Sequence, residues 1–172
     1  PSATVQNRWS YDELLSFLNS CEGKSGDVAR GAVVFREAKC VDCHRVGNQG
    51  DGIGPDLTTV ARRFQVKEIL ESIVYPSQVI SDQYASMAVT ADGKTYVGLA
   101  VKDGEEAVIL TAEGKKIRLP MSSVEQVTPV KVSAMPEGLL NPLRLDQVAD
   151  LFAFLLHEQT PGVAAQPQEP KR

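Results

Sequence analysis

Cysteine is scarce in this chain, three in 172 residues, too few for a scaffold held together by disulfides. A basic surplus is missing as well. Eighteen Lys and Arg stand against 22 Asp and Glu, for a net charge of −4. That argues against a nucleic-acid binder, because phosphate contacts need an excess of Lys and Arg. No apolar run approaches the ~18 residues of a membrane span, so no transmembrane segment is expected. What is present is the mix of a folded globular protein, 42% hydrophobic and 23% charged,. The length fits one domain with room for a small second lobe. Pro1 is not a translation start, and a mature form or an excised piece of a longer chain is expected,.

The pattern of the chain changes midway. Ser10 and Glu13 have capping-box spacing, Trp9 and Leu14 have staple spacing, and Leu14, Leu15, Phe17 and Leu18 form one face, which predicts a helix over 11–20,. Asp27 is the expected N-cap of a second helix, with Val28, Gly31, Ala32 and Phe35 on one face,. Four glycines in 47–54 mark a loop, followed by a short helical turn from Val60 to Phe64,. Val66, Ile69, Leu70, Ile73 and Val74 give a further helix, stopped by Pro76,.

From Tyr84 to about Val130 the period becomes that of strands. Asp92-Gly93, Asp103-Gly104 and Glu113-Gly114 supply turns, and an antiparallel β meander of four or five short strands is expected,. After a turn at 135–138 and Pro142, an amphipathic helix carries Leu145, Val148, Ala149, Phe152, Leu155 and Leu156 on one face,. The expected organisation is an N-terminal helix or linker at 1–26, a domain at 27–159 with a strand-rich insertion at about 84–130, and a disordered tail at 160–172.

Chemistry concentrates in Cys40-Val41-Asp42-Cys43-His44, the attachment signature of c-type haem,. Two thiols at this spacing can add to the two vinyl groups of one porphyrin, which leaves His44 under the iron as a ligand. Three other readings stand beside it. A redox disulfide lacks its usual strand-to-helix context. A zinc site lacks a second ligand pair, which Cys21 and His157 would supply only by accident of folding. Chance is the third.

A haem c iron usually takes a second axial ligand, Met or His. Met87, Met121, Met135 and His157 are the candidates. Met87 lies 43 residues beyond His44, a comfortable arc, but in an alternating strand-like run. Met135 lies 91 residues beyond His44, and removing the 47-residue strand-rich stretch shortens that to 44. Met135 is therefore the preferred ligand, with the strands inserted into a compact helical domain.

These residues resemble a class I c-type cytochrome. Gly31 and Phe35 precede the cysteine pair at that family's spacing, and Asp150-Leu151-Phe152-Ala153-Phe154-Leu155 resembles its final helix, which Gly31 lets cross closely. Ile53-Gly54-Pro55-Asp56-Leu57 resembles its Gly-Pro-x-Leu segment, and Met135-Pro136 its ligand loop. The resemblance implies that the Pro55 carbonyl accepts a hydrogen bond from the outer ring nitrogen of His44, fixing its tautomer. A closer likeness, over about 27–157, is to the haem-binding, cytochrome c-like domain of planctomycete and verrucomicrobial proteins. That domain commonly closes large chains behind dehydrogenase or helical-repeat domains, and it shares the strand-rich stretch and a Met-Pro-Glu-Gly-Leu segment.

The implied fold is a mainly α cytochrome c domain with an inserted antiparallel sheet, α+β overall. The implied cofactor is covalently attached haem c, held by Cys40, Cys43 and His44, with Pro55 behind His44. Arg62 or Arg63 is a candidate to pair with a propionate. Phe35, Leu57, Ile69 and Ile73 are expected around the ring. Cys21, by contrast, reads as a small buried side chain, and Lys115, Lys116 and Arg118 as a solvated face or a docking patch. With both axial positions filled, the iron shuttles electrons and does not activate substrates. The expected role is electron transfer without catalysis, serving a redox partner protein or a fused dehydrogenase domain, in the periplasm or an equivalent exported compartment. The rival reading is a haem enzyme or small-ligand sensor with a displaceable sixth ligand.

Overall fold

The structure, a computed structural model, describes residues 8–157. The tail expected at 160–172 lies outside the described residues. Three helices come first: α1 (Tyr11–Asn19), α2 (Val28–Glu37) and α3 (Val66–Val74). Five strands follow: β1 (Ser86–Ala91), β2 (Lys94–Asp103), β3 (Glu106–Leu110), β4 (Lys116–Pro120) and β5 (Val124–Val130). Helix α4 (Leu145–Leu156) closes the described chain. No helix among the described residues is long and apolar enough to cross a membrane.

Local chemistry explains the helix boundaries. Ser10 and Glu13 close a reciprocal capping box at α1, satisfying donors that the first turn leaves unpaired. The Asp27 carboxylate accepts from Arg30 N at 2.8 Å and starts α2. Helix α2 stops at Ala38, and Lys39 takes a left-handed conformation, φ 60°, which turns the chain into the cysteine motif,.

Helices α2 and α4 cross in close contact. A Cβ on Gly31 would sit 2.0 Å from Asp150 O, and one on Gly26 would sit 2.2 Å from Ala149 O. Only hydrogen at these two positions lets the backbones approach. Phe35 and Phe154 pack beside the crossing with ring centroids 5.4 Å apart,. The buried Asp150 carboxylate bonds Arg30 through Nε at 2.7 Å and Nη2 at 2.8 Å, and accepts from Asp27 N at 2.7 Å. Leu14 and Leu18 of α1, Leu70 and Val74 of α3, and Leu140 and Leu143 before α4 complete one apolar core. Trp9 joins it and donates from Nε1 to Leu143 O at 3.3 Å.

The strands bury a separate set of side chains, among them Val89, Leu99 and 107–110, which lie outside that helical core. The sheet order is β4-β3-β2-β1-β5, all antiparallel. The expected meander holds for β1 to β4 but not for β5. The chain leaves β4 through a 3₁₀ turn at Met121–Ser123 and returns beside β1, at the opposite edge. Strand β2, at 10 residues, pairs with two neighbours in turn. Its first half pairs with β1 and its second half with β3. The change falls at Gly98, where a Cβ would meet Leu110 O at 2.1 Å. Tyr84, expected to open the first strand, instead closes a 3₁₀ turn at Asp82–Tyr84.

Because Ser86 of β1 pairs with Val130 of β5, the strand-rich segment begins and ends at one place. Ser77 Oγ, just past α3, accepts from Ser133 N at 3.1 Å. Ser133 Oγ in turn accepts from Met135 N at 3.1 Å. The loop carrying Met135 is thus tied to the end of α3.

Candidate cofactor site around Cys40, Cys43 and His44

Cys40 begins a 3₁₀ turn, Cys40–Asp42, whose carbonyl accepts from Cys43 N at 3.2 Å and from His44 N at 2.9 Å. This one turn places Cys40, Cys43 and His44 on a compact loop directly after α2. The glycine-rich segment then folds back on the motif. Asp51 N donates to Val41 O at 2.9 Å, and Gly54 N donates to Cys43 O at 2.8 Å. Leu57 N donates to Arg45 O at 2.8 Å, and Gly47 N donates to Thr58 Oγ1 at 2.9 Å.

His44 Nδ1 lies 2.9 Å from Pro55 O. A carbonyl only accepts, so Nδ1 carries the proton and Nε2 keeps its lone pair. Burial pushes the His44 imidazole below its usual range, against the opposing pull of the Pro55 bond, which favours the neutral ring a metal requires. Gly54 lies close against the same edge of the ring. A Cβ there would lie 3.3 Å from both Cε1 and Nδ1 of His44 and 3.0 Å from Cys43 O. At Gly50, φ +96°, a Cβ would lie 2.1 Å from His44 O. These two glycines are part of the histidine cradle that sequence reasoning did not single out, although Gly54 stood inside the quoted Gly-Pro segment.

The two thiols are free. Burial pushes Cys40 up to about 11. Burial also raises Cys43, with Asp42 and Asp51 adding to the rise and Lys116 opposing it. A redox dithiol works through a depressed thiol pKa, and this environment acts in the opposite direction. Among the described residues no three His, Cys, Asp or Glu side chains come together as a metal site. Cys21 is exposed, not buried as expected, and His157 is exposed at the end of α4.

The other candidates are placed as follows. Arg62 ends a 3₁₀ turn at Val60–Arg62 and is exposed, as is Arg63, whose guanidinium lies 5.3 Å from the centroid of the Phe64 ring. Met135 is half-buried in its loop before α4, and Met87 sits within β1. Phe35 is 0% exposed, fully enclosed by protein in the α2–α4 crossing, so it acts there as a packing residue. Leu57 and Ile73 are half-buried against the helical core, while Val79, just past α3, is 86% exposed.

The donor set and the cradle together fit a c-type haem: two unpaired thiols three residues apart, then a neutral imidazole whose outer nitrogen is already bonded,. A comparison with curated proteins finds no match. Residues 28–105 match the family model Cytochrome c, a stretch that takes in α2, the cysteine motif, the Pro55 loop, α3 and the first two strands, and which supports a c-type cytochrome, whose family binds covalently attached haem c.

Proposed function

We propose that this chain is an electron-transfer module carrying haem c on Cys40 and Cys43, with His44 and Met135 as axial ligands. The single observation that carries the reading is the seating of His44. Its ring is bonded to Pro55 O, backed by Gly54, and placed one residue after the second thiol. The bound group supplies reversible one-electron exchange at iron. The chain's residues hold and orient it. His44 presents Nε2, Pro55 fixes the tautomer, and the two cysteine side chains anchor one edge. Arg62 or Arg63 is proposed to pair with a propionate. With both axial positions held by side chains, no open coordination site is left for substrate, which supports a carrier role.

Support for Met135 comes from the path of the chain. The sheet departs and returns at paired residues, Ser86 and Val130. Its removal in thought leaves α3, the Met135 loop and α4 in sequence, tied by the Ser77–Ser133 bond. The sheet is accordingly read as an insertion in a helical cytochrome domain spanning 27–159. The likeness to the planctomycete and verrucomicrobial haem-binding domain supports a dehydrogenase or respiratory partner and an exported, periplasmic-type compartment.

The test is expression with haem-attachment machinery in an exporting host, followed by mass spectrometry and absorption spectra. One covalently added tetrapyrrole is expected, with low-spin spectra in both redox states. A colourless protein of unmodified mass would end the reading. A high-spin ferric form at neutral pH would remove Met135 as ligand.

A further inference from the structure

The sheet reaches the cysteine motif through one side chain that the proposed function leaves unused. Lys116, the first residue of β4, pairs with Asp51 in the loop after His44. Both ends of this pair are anchored. Lys116 stands opposite Leu110 in the β3–β4 ladder, and Leu110 is fully buried. The turn joining these strands is held by Gly114 N donating to Thr111 O at 2.9 Å. On the other side, Asp51 N is bonded to Val41 O, between the two cysteines. The neighbouring Gly50 is packed so closely on His44 O that no side chain fits. An open cleft of about 670 Å³ lies between the Gly114 turn and the motif, walled by Val41, Asp42 and Arg45, with Lys116 and Asp51 also lining it. The other ion pairs of the strands, Arg118 with Asp103 and with Glu106, lie within the sheet.

We propose that Lys116 is a positioning residue for the haem site. From the sheet it holds Asp51, and with it the motif loop, and its charge offsets a carboxylate beside the attachment edge. This gives the sheet a role in the redox centre. The inference rests on the reading that Cys40 and Cys43 carry haem. An exposed ion pair contributes little stability, so the expected effect lies in the local field and the order of the loop. An unpaired carboxylate near the iron favours the more positive, oxidised state, and an unpaired ammonium favours the reduced state.

The experiment compares haem-loaded wild type, Lys116→Gln, Asp51→Asn and the double variant by spectroelectrochemical titration. Hydrogen exchange of residues 45–52 is followed on the same samples. Lys116→Gln is expected to lower the midpoint potential and Asp51→Asn to raise it. The double variant should return close to wild type, and both single shifts should shrink as salt is added. Exchange at the Asp51 amide should quicken several-fold in both single variants. A merely structural pair would loosen the loop without opposite-signed shifts. Potentials that stay fixed, or that move the same way in both single variants, overturn the proposal. If wild type takes up no haem, the reading of the cysteine pair fails separately. Exchange on the haem-free protein then decides the loop, and an unchanged Asp51 amide overturns its positioning by Lys116.

Discussion

At the scale of single residues, the site is defined as much by hydrogen at Gly54 and Gly50 as by sulfur and nitrogen. The Cβ of Gly54→Ala would need the His44 ring or the Cys43 carbonyl to yield by a few tenths of an ångström. A shift of the ring loosens its bond to Pro55, and a shift of the carbonyl loosens the bond it accepts from Gly54 N. The expected result is a lower haem content per chain, measured as the pyridine haemochrome, with helical circular dichroism unchanged. Met135 and Met87 can be told apart in the same preparations. Met135→Ala should make the reduced protein bind carbon monoxide readily, and Met87→Ala should not. Carbon monoxide binding only in Met87→Ala would move the ligand into β1. Most of this site was legible in the sequence, because Cys40, Cys43, His44 and Pro55 are close together in the chain and their spacing encodes their geometry. The Lys116–Asp51 pair was not. Its partners are 65 residues apart, and a lysine in a charged turn carries no mark of what it will face.

Elements were legible for a related reason. Caps and apolar periods are local, so α1, α2, α3 and α4 fall where Ser10, Asp27, Pro76 and the Leu145 face place them. Sheet order is not local: β5 returns beside β1 and not beside β4, its neighbour in the chain, and no residue of 124–130 marks that partner. The α2–α4 crossing is where element-scale predictions concentrate. Gly31→Ala would place a methyl 2.0 Å from a backbone oxygen of α4, forcing the helices apart. A loss of about 3 kcal/mol is expected in urea denaturation. Asp150 adds a pH dependence. Hydrogen bonds from Arg30 lower its carboxyl in the folded state, with the Asp27 amide adding to the effect. A depressed folded pKa contributes stability above the unfolded value of ~3.9, which is lost as pH falls toward and through the folded pKa. Stability should therefore decline below about pH 5. Asp150→Asn should show a weaker decline over that range and a lower plateau at pH 7. Equal slopes for the two proteins would remove Asp150 from the acid limb.

For the whole molecule, the question is whether the helices need the sheet. The strands bury their own side chains, apart from the core shared by α1, α2, α3 and α4. Their entry and exit are paired at Ser86 and Val130, so a short linker can close the gap with little added loop entropy. Replacing 86–130 by a few Gly and Ser residues should therefore leave a helical protein that unfolds cooperatively and still takes up one haem. In that shortened chain Met135 lies 46 residues plus the linker beyond His44, close to the 44 left when 84–130 is removed. Its spectrum in both redox states should remain low-spin. Its potential should still rise on Asp51→Asn, as in the Lys116→Gln background, because Lys116 has gone with the sheet and the Asp51 carboxylate is left unpaired. A shortened chain that fails to fold would show that the sheet belongs to the core. One that folds and holds haem but turns high-spin would show that the strands, and not the α3 tether through Ser77 and Ser133, hold the Met135 loop in place.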